Sequence, residues 1–161
     1  MEKKPIKRSQ YILPLSKDHH FTLLFCWKIR QGLKHEVEAE RIKNYVAHFW
    51  EHDMQPHFRE EEEILFAPVK KDEKVVRAQN DHRQIEGQVE SVLQASVEEA
   101  VEKLTLLADT VDAHIRYEER ELFSYLESSL TQVQLEEIGR KLNQESPLKD
   151  DYTDEFWLKE K

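Results

Sequence analysis

The sequence predicts an all-α protein, an antiparallel up-down four-helix bundle with an extra short C-terminal helix and a tail. Three observations predict this fold class. The 161 residues include only 3 glycines and 5 prolines, which leaves few positions suited to tight turns. Charged residues make up 35% of the chain, with abundant Glu and Lys, and this composition favours helices. Apolar residues recur at spacings of three and four, and no segment shows the alternation typical of a strand.

The N-terminal region is predicted to be extended before the first helix begins. Residues 1–15 contain Pro5 and Pro14, which we interpret as helix breakers. Ser16 is a suitable N-cap, so the first helix is predicted over residues 17–34.

The remaining helices follow from apolar spacing and from residues typical of helix ends. The second is predicted over residues 38–67, with a kink at Pro56 because proline removes one backbone hydrogen bond. The third is predicted over residues 72–95, and Ser96 is a suitable cap for a long fourth helix. A shorter fifth helix is predicted over residues 131–143.

The chain is predicted to divide into a helical body, residues 1–145, and an acidic, aromatic tail, residues 146–161. The aromatic residues Tyr152, Phe156 and Trp157 indicate that the tail docks, either on the body or on a partner. No internal sequence repeat is apparent.

Charge and composition exclude several classes of function. The formal net charge of −9 is unfavourable for a large nucleic-acid interface, so no nucleic-acid partner is expected. Cys26 is the only cysteine, so the chain can form no internal disulfide. No signal-peptide pattern and no apolar run of membrane-spanning length occurs, so we expect no membrane association and a cytoplasmic location.

Three of the eight histidines are followed four residues later by a glutamate. This spacing places both side chains on one helical face. The pairs are His57 with Glu61, His82 with Glu86, and His114 with Glu118. Because a protein this rich in glutamate contains such pairs by chance, the motif is weak unless the pairs also meet in the fold.

A geometric test indicates that one histidine from each long helix lies at a common level. When residues on adjacent antiparallel helices meet, their sequence midpoint falls at the connecting turn, because both helices rise equally per residue. The test is met by each consecutive pair in the series His20, His57, His82 and His114. Glu61 and Glu118 lie one turn beyond two of these histidines and would join the same layer.

A buried layer of this kind predicts a metal site. Burying Glu61 and Glu118 as bare ions carries a large desolvation cost, which a divalent cation removes. Imidazole nitrogen combined with carboxylate oxygen suits iron, manganese or zinc, and the absence of thiolate ligands argues against a structural zinc site. Two carboxylates from different helices are able to bridge a pair of cations, with imidazoles as terminal ligands.

Four motifs follow one another along the chain: DHH at 18–20, HFREE at 57–61, DH at 81–82 and HIRYEE at 114–119. This ordered series resembles the hemerythrin-like, HHE cation-binding family over about residues 10–130. The resemblance implies a four-helix bundle around a non-heme centre of two iron ions, with manganese or zinc as substitutes. It also implies bridging carboxylates at Glu61 and Glu118 and terminal imidazoles at His20, His57, His82 and His114.

Two positions leave the ligand set open. His19 competes with His20, and we favour His20 because apolar residues follow it at helical spacing: Leu23, Leu24 and Trp27. Oxygen-carrying members of the family have two histidines one turn apart on the third helix, whereas the positions beside His82 are Ala78 and Glu86. Glu86 is therefore either a further ligand or a residue that orients one, and stable oxygen carriage is in question.

Three functional hypotheses follow. The first is a non-enzymatic di-iron protein that binds or senses O2 or a related small ligand. The second is a di-iron oxidase or peroxidase, or a scavenger of nitric oxide or peroxide. The third is a metal-stabilised interaction module in which the fifth helix and tail contact a protein partner.

Overall fold

The computed structural model describes residues 8–142 and 151–158, and within these ranges it is all-helical, with no strand. Residues 1–7, including Pro5, lie outside the described ranges, as do residues 143–150. The structure contains five helices: α1 (Leu13–Lys34), α2 (39–65), α3 (Glu73–Gln94), α4 (97–129) and α5 (Gln132–Leu142). Every helix in the described ranges lacks either the length or the apolar character that crossing a bilayer requires.

Helices α2 and α4 are continuous but contain wide π-helical turns. In α2 the π-turns are Trp50–Met54 and Glu61–Leu65, and in α4 the π-turn is Glu118–Leu122. The first lies directly before Pro56, where a regular hydrogen-bond ladder would need the N–H that proline lacks. The kink at Pro56 stays a prediction, and the structure shows a widened turn that ends at Met54, two residues before this proline.

The start of α1 differs from the sequence-based expectation. The helix begins at Leu13, so Ser16 is not its cap and Pro14 does not delay it. Pro14 lies in the first turn, where a missing N–H costs nothing because that group has no partner inside the helix. The Ser16 hydroxyl instead donates to the carboxylate of Glu119 on α4.

The other predicted helix starts are close to the observed ones. Asp72 caps α3 by accepting a hydrogen bond from the Lys74 N–H at 2.9 Å. Ser96 caps α4 as predicted, with its hydroxyl accepting from the Glu99 N–H at 3.3 Å. Helix α1 packs against α2 and α4, and α3 packs against the same two helices.

Two apolar clusters fill the interior, one on each side of a buried polar layer. The larger cluster contains Phe25 of α1 and Ile85 of α3, and the second contains Leu15 of α1 and Ala78 of α3. Buried histidines separate these residues on each helix, His19 on α1 and His82 on α3. The polar residues therefore lie at mid-height in the protein, enclosed by apolar packing above and below.

The tail docks on its own chain. Phe156 and Trp157 are 1% and 9% exposed and join the larger apolar cluster, and Asp154 accepts two hydrogen bonds from Arg41. The Lys28 ammonium lies 3.9 Å from the Trp157 ring centroid. The predicted docking of these aromatics is confirmed, and the body provides the docking surface. Because they are buried in this way, they do not offer the partner surface of the third hypothesis.

Gly32 provides a test of this docking. A Cβ added at Gly32 would lie 2.9 Å from the Phe156 ring, whereas one added at Gly87 would meet nothing within 4 Å. Gly87→Ala is expected to raise the free energy of unfolding by about 1 kcal/mol through helix propensity. Gly32→Ala is expected to lower it by about 1 kcal/mol, because overpacking outweighs the same gain. Urea denaturation followed by tryptophan fluorescence measures both, and equal stabilisation by the two variants would contradict the contact.

Candidate metal centre

The structure brings six of the candidate site residues into one buried cluster, with His19 as the histidine of α1. Every member is between 0% and 3% exposed. They are His19 of α1, His57 and Glu61 of α2, His82 of α3, and His114 and Glu118 of α4. The four packed helices thus each contribute one imidazole to a common level, and two of them also contribute a carboxylate.

The two adjacent histidines of α1, His19 and His20, lie on different sides of the helix. His19 is 2% exposed and lies in the cluster, whereas His20 is exposed. The apolar residues that favoured His20 point outward, since Leu23 is 36% exposed and Trp27 is 45% exposed. The buried face of α1 is instead formed partly by small or polar residues at positions 22, 26 and 32, so hydrophobicity alone indicated the wrong face.

Glu86 and Ala78 both lie outside the cluster. Glu86 is exposed, although it lines a cavity that also borders His82, and Ala78 packs in the second apolar cluster. Helix α3 therefore contributes a single donor, His82, to the buried layer.

The cluster contains two overlapping groups of four residues, which share both glutamates. In each group, one donor atom from every member lies within 4.8 Å of the others. The first group, here called position A, is His19, His57, Glu61 and Glu118. The second group, here called position B, is His82, His114, Glu61 and Glu118.

The Nε2 atoms of all four imidazoles face the shared carboxylates. The distances from Nε2 to the nearest oxygen of Glu118 are 3.2 Å for His19 and 3.1 Å for His114. The corresponding distances to Glu61 are 3.5 Å for His57 and 3.1 Å for His82. Two carboxylates therefore lie at the centre of four converging ring nitrogens.

Each imidazole has a further carboxylate at its other nitrogen, Nδ1. Asp18 lies 3.1 Å from His57, Asp81 lies 3.1 Å from His114, and Glu62 lies 2.8 Å from His82. Glu119 lies 3.4 Å from His19 Nδ1. A proton held on Nδ1 by such a carboxylate leaves Nε2 free to act as a ligand, an arrangement that fixes the tautomer of metal-binding histidines.

These four outer carboxylates were not predicted, although a signal for them is present in the sequence. The pattern Asp-His occurs at 18–19 and 81–82, and His-x3-Glu-Glu occurs at 57–62 and 114–119. The contacts repeat in the same way when α1 is exchanged with α3 and α2 with α4. The pair Asp18–His57 then corresponds to Asp81–His114, and Glu62–His82 corresponds to Glu119–His19. The chain therefore contains a short repeat of site residues that overall sequence similarity does not reveal.

The π-turns of α2 and α4 begin at the two central glutamates. Glu61 starts the turn Glu61–Leu65, and Glu118 starts the turn Glu118–Leu122. A π-turn contains more residues than an α-turn, so consecutive side chains diverge less in angle. This geometry favours the observed pairs, in which the first glutamate faces the cluster and the next contacts a histidine of a neighbouring helix.

The cluster perturbs the titration of its own members. Burial lowers the pKa of His57, but Glu61 and Asp18 outweigh burial and raise that pKa to about 9. In the same way, Glu118 and Asp81 overcome burial and raise the pKa of His114 to about 10. Burial raises the pKa of Glu61, yet the neighbouring histidines hold it well below its usual value.

The donor atoms fit a cation better than they fit one another. All four Nε2 atoms and all four oxygens of Glu61 and Glu118 are buried without a hydrogen-bond partner. Buried polar groups almost always have partners, so eight converging atoms without one require an explanation. One or more bound cations would satisfy these atoms, and nitrogen with oxygen donors suits iron, manganese and zinc.

Aromatic rings cover the imidazoles of the cluster. Phe58 stacks on His82 with ring centroids 3.9 Å apart and an interplanar angle of 9°. Phe123 stacks on His19 at 5.2 Å and 23°. These rings restrict water around the donors and hold the imidazole planes in place.

Comparison with known proteins agrees with this geometry. The family model for the hemerythrin HHE cation-binding domain matches residues 15–126, over two thirds of the chain. Neither the curated proteins nor the solved structures provide a match. The matched region contains all six residues of the cluster, and the chain belongs to the hemerythrin HHE cation-binding domain family.

Proposed function

We propose that the cluster holds two iron ions and that the protein binds or senses O2 or a related small ligand. His19 and His57 would be the terminal ligands at position A, and His82 and His114 would be those at position B. Glu61 and Glu118 would be shared. The observation that carries the proposal is the set of eight buried donor atoms without hydrogen-bond partners.

The number of donors supports ligand binding. Each position is offered two imidazoles and two shared carboxylates, which is fewer than the six donors that iron commonly accepts. Bound iron would supply the electrons that make binding of O2 or a similar ligand favourable. The chain's own residues orient the imidazoles through their Nδ1 partners and limit water through Phe58 and Phe123.

Anaerobic reconstitution tests the proposal. Protein loaded with ferrous iron is expected to bind two ions per chain and to develop a ligand-to-metal charge-transfer band when air is admitted. Metal analysis and the ultraviolet–visible spectrum measure the two results separately. A chain that binds two ions but shows no spectral change in air would contradict O2 binding, and a chain that binds none would contradict the metal centre.

Turnover of peroxide or nitric oxide is a second candidate function. The observation that favours it is a cavity of about 380 Å³ that borders His82, through which a small substrate would enter and its product leave. Peroxide or nitric oxide consumption well above that of free iron would favour this candidate. Consumption no faster than free iron would leave binding or sensing as the better account.

Two further features remain inferences. We infer an up-down antiparallel order for the four long helices, because their connections, residues 35–38, 66–72 and 95–96, are short. We also retain residues 1–145 as the helical body, residues 146–161 as the tail and the cytoplasm as the expected location. Limited proteolysis tests the division, which predicts first cleavage near its boundary.

A further inference from the structure

We infer that small ligands reach the centre from the side of position B, through the cavity bordered by His82, Glu62 and Phe58. The inference rests on the proposed function, because it assumes that cations occupy the cluster. It assigns different roles to two positions whose donors are alike and equally buried: cavities border the imidazoles of position B, and the N-terminal segment covers position A.

The cavities on the position B side carry the first part of the argument. The first has a volume of about 380 Å³, and its lining includes His82, Glu62, Phe58, Arg83 and Glu86. A second cavity of about 320 Å³ borders His114 and its carboxylate partner Asp81. Both imidazoles of position B therefore border space that is continuous with solvent.

The larger cavity lies where α3 provides no second ligand. Glu86, one turn after His82, lines the cavity and is exposed instead of reaching the cluster. Three basic residues, Arg59, Lys70 and Arg83, and three glutamates line it, so the route is polar and carries charges of both signs. Such a lining admits hydrated and anionic ligands as well as neutral gases.

Position A is closed by contacts that position B lacks. Glu119, the carboxylate beside His19, accepts a hydrogen bond from Ser16, and its backbone carbonyl accepts one from Arg8 at 2.6 Å. The Arg8 side chain is only 5% exposed and covers the Phe123 ring at 5.5 Å, while that ring stacks on His19. Arg8 thus closes the His19 side from outside the residues that the family model matches.

The exposure of the outer carboxylates shows the same asymmetry. The side chain of Asp81 is 27% exposed, against 15% for its counterpart Asp18. The side chain of Glu62 is 34% exposed, against 28% for its counterpart Glu119. In both pairs the carboxylate that serves position B is nearer to solvent.

Matched tryptophan substitutions test the route. Glu86 lies four residues after His82, and Leu23 lies four residues after His19, so Glu86→Trp and Leu23→Trp place the same indole beside positions B and A. The probe is azide, added to the oxidised, iron-loaded protein and followed by stopped-flow absorbance. Glu86→Trp is expected to slow azide association about tenfold at unchanged iron content, and Leu23→Trp to leave it within about twofold.

The opposite ranking, or equal rates in both variants, would overturn the inference. A wild-type chain that holds two irons but binds no azide would instead count against the open ligand position in the proposed function.

A second measurement needs no metal. Brief treatment of the metal-free wild-type protein with diethyl pyrocarbonate, followed by peptide mass mapping, is expected to modify His82 before its counterpart His19, since carboxylates face both imidazoles and His82 borders a cavity. Earlier modification of His19 would overturn the inference whatever the fate of the proposed function.

Discussion

Glu61→Gln is expected to remove both cations from the centre, not one. Glu61 is fully buried and belongs to both donor groups, so its neutralisation affects positions A and B together. The loss in affinity is expected to exceed the roughly 10–100-fold that removal of an outer-sphere partner costs. Metal analysis after gel filtration should show two ions per wild-type chain and almost none in the variant.

Glu63→Gln is the matched control, because Glu63 is exposed and lies two residues away on the same helix. It is expected to keep two ions per chain. Glu118→Gln should behave like Glu61→Gln, since Glu118 is also fully buried and shared. Retention of one ion by either buried variant would show that the carboxylates are not shared as the donor groups indicate.

The metal-free protein is expected to lose stability as the pH rises from 7 towards 10. Relative to about 6.5 in an unfolded chain, the pKa is raised to about 9 for His57 and to about 10 for His114. A raised histidine pKa stabilises the fold fully below the unfolded value, and this contribution is lost as the pH passes through the folded value. The loss from His57 is on the order of 3 kcal/mol.

Urea denaturation at several pH values measures this loss. Protein loaded with zinc is the control, because imidazoles that bind a cation through Nε2 cannot take up a proton there. Its stability is expected to change little over the same interval. A metal-free protein with equal stability at pH 7 and pH 10 would show that the buried histidines are neutral despite the adjacent carboxylates.

The helices and most of the site residues were predictable from local patterns. Apolar spacing located both ends of α3 to within a residue, and the Ser96 cap located the start of α4. The midpoint test brought His57, His82 and His114 to one level because helical rise is constant. That test could not separate His19 from His20, since a shift of one residue moves the midpoint by only half a residue.

Other features depended on contacts that local patterns do not encode. The buried face of α1 includes the small residues Thr22 and Cys26, whereas the larger and more apolar Trp27 is 45% exposed. The π-turns that begin at Glu61 and Glu118 were not predicted, because residue helix propensities do not distinguish a π-turn from an α-turn. The role of Glu62 in orienting His82 required knowledge of which helices are neighbours.

The site residues repeat when α1 is exchanged with α3 and α2 with α4, and this symmetry has a consequence for the design of smaller proteins. Each helical hairpin carries one Asp-His and one His-x3-Glu-Glu segment, which is half of the complete donor inventory. A homodimeric miniature could therefore be assembled from two copies of the first hairpin alone. In that miniature positions A and B would be equivalent, because Arg8 would either cover both positions or be absent from both.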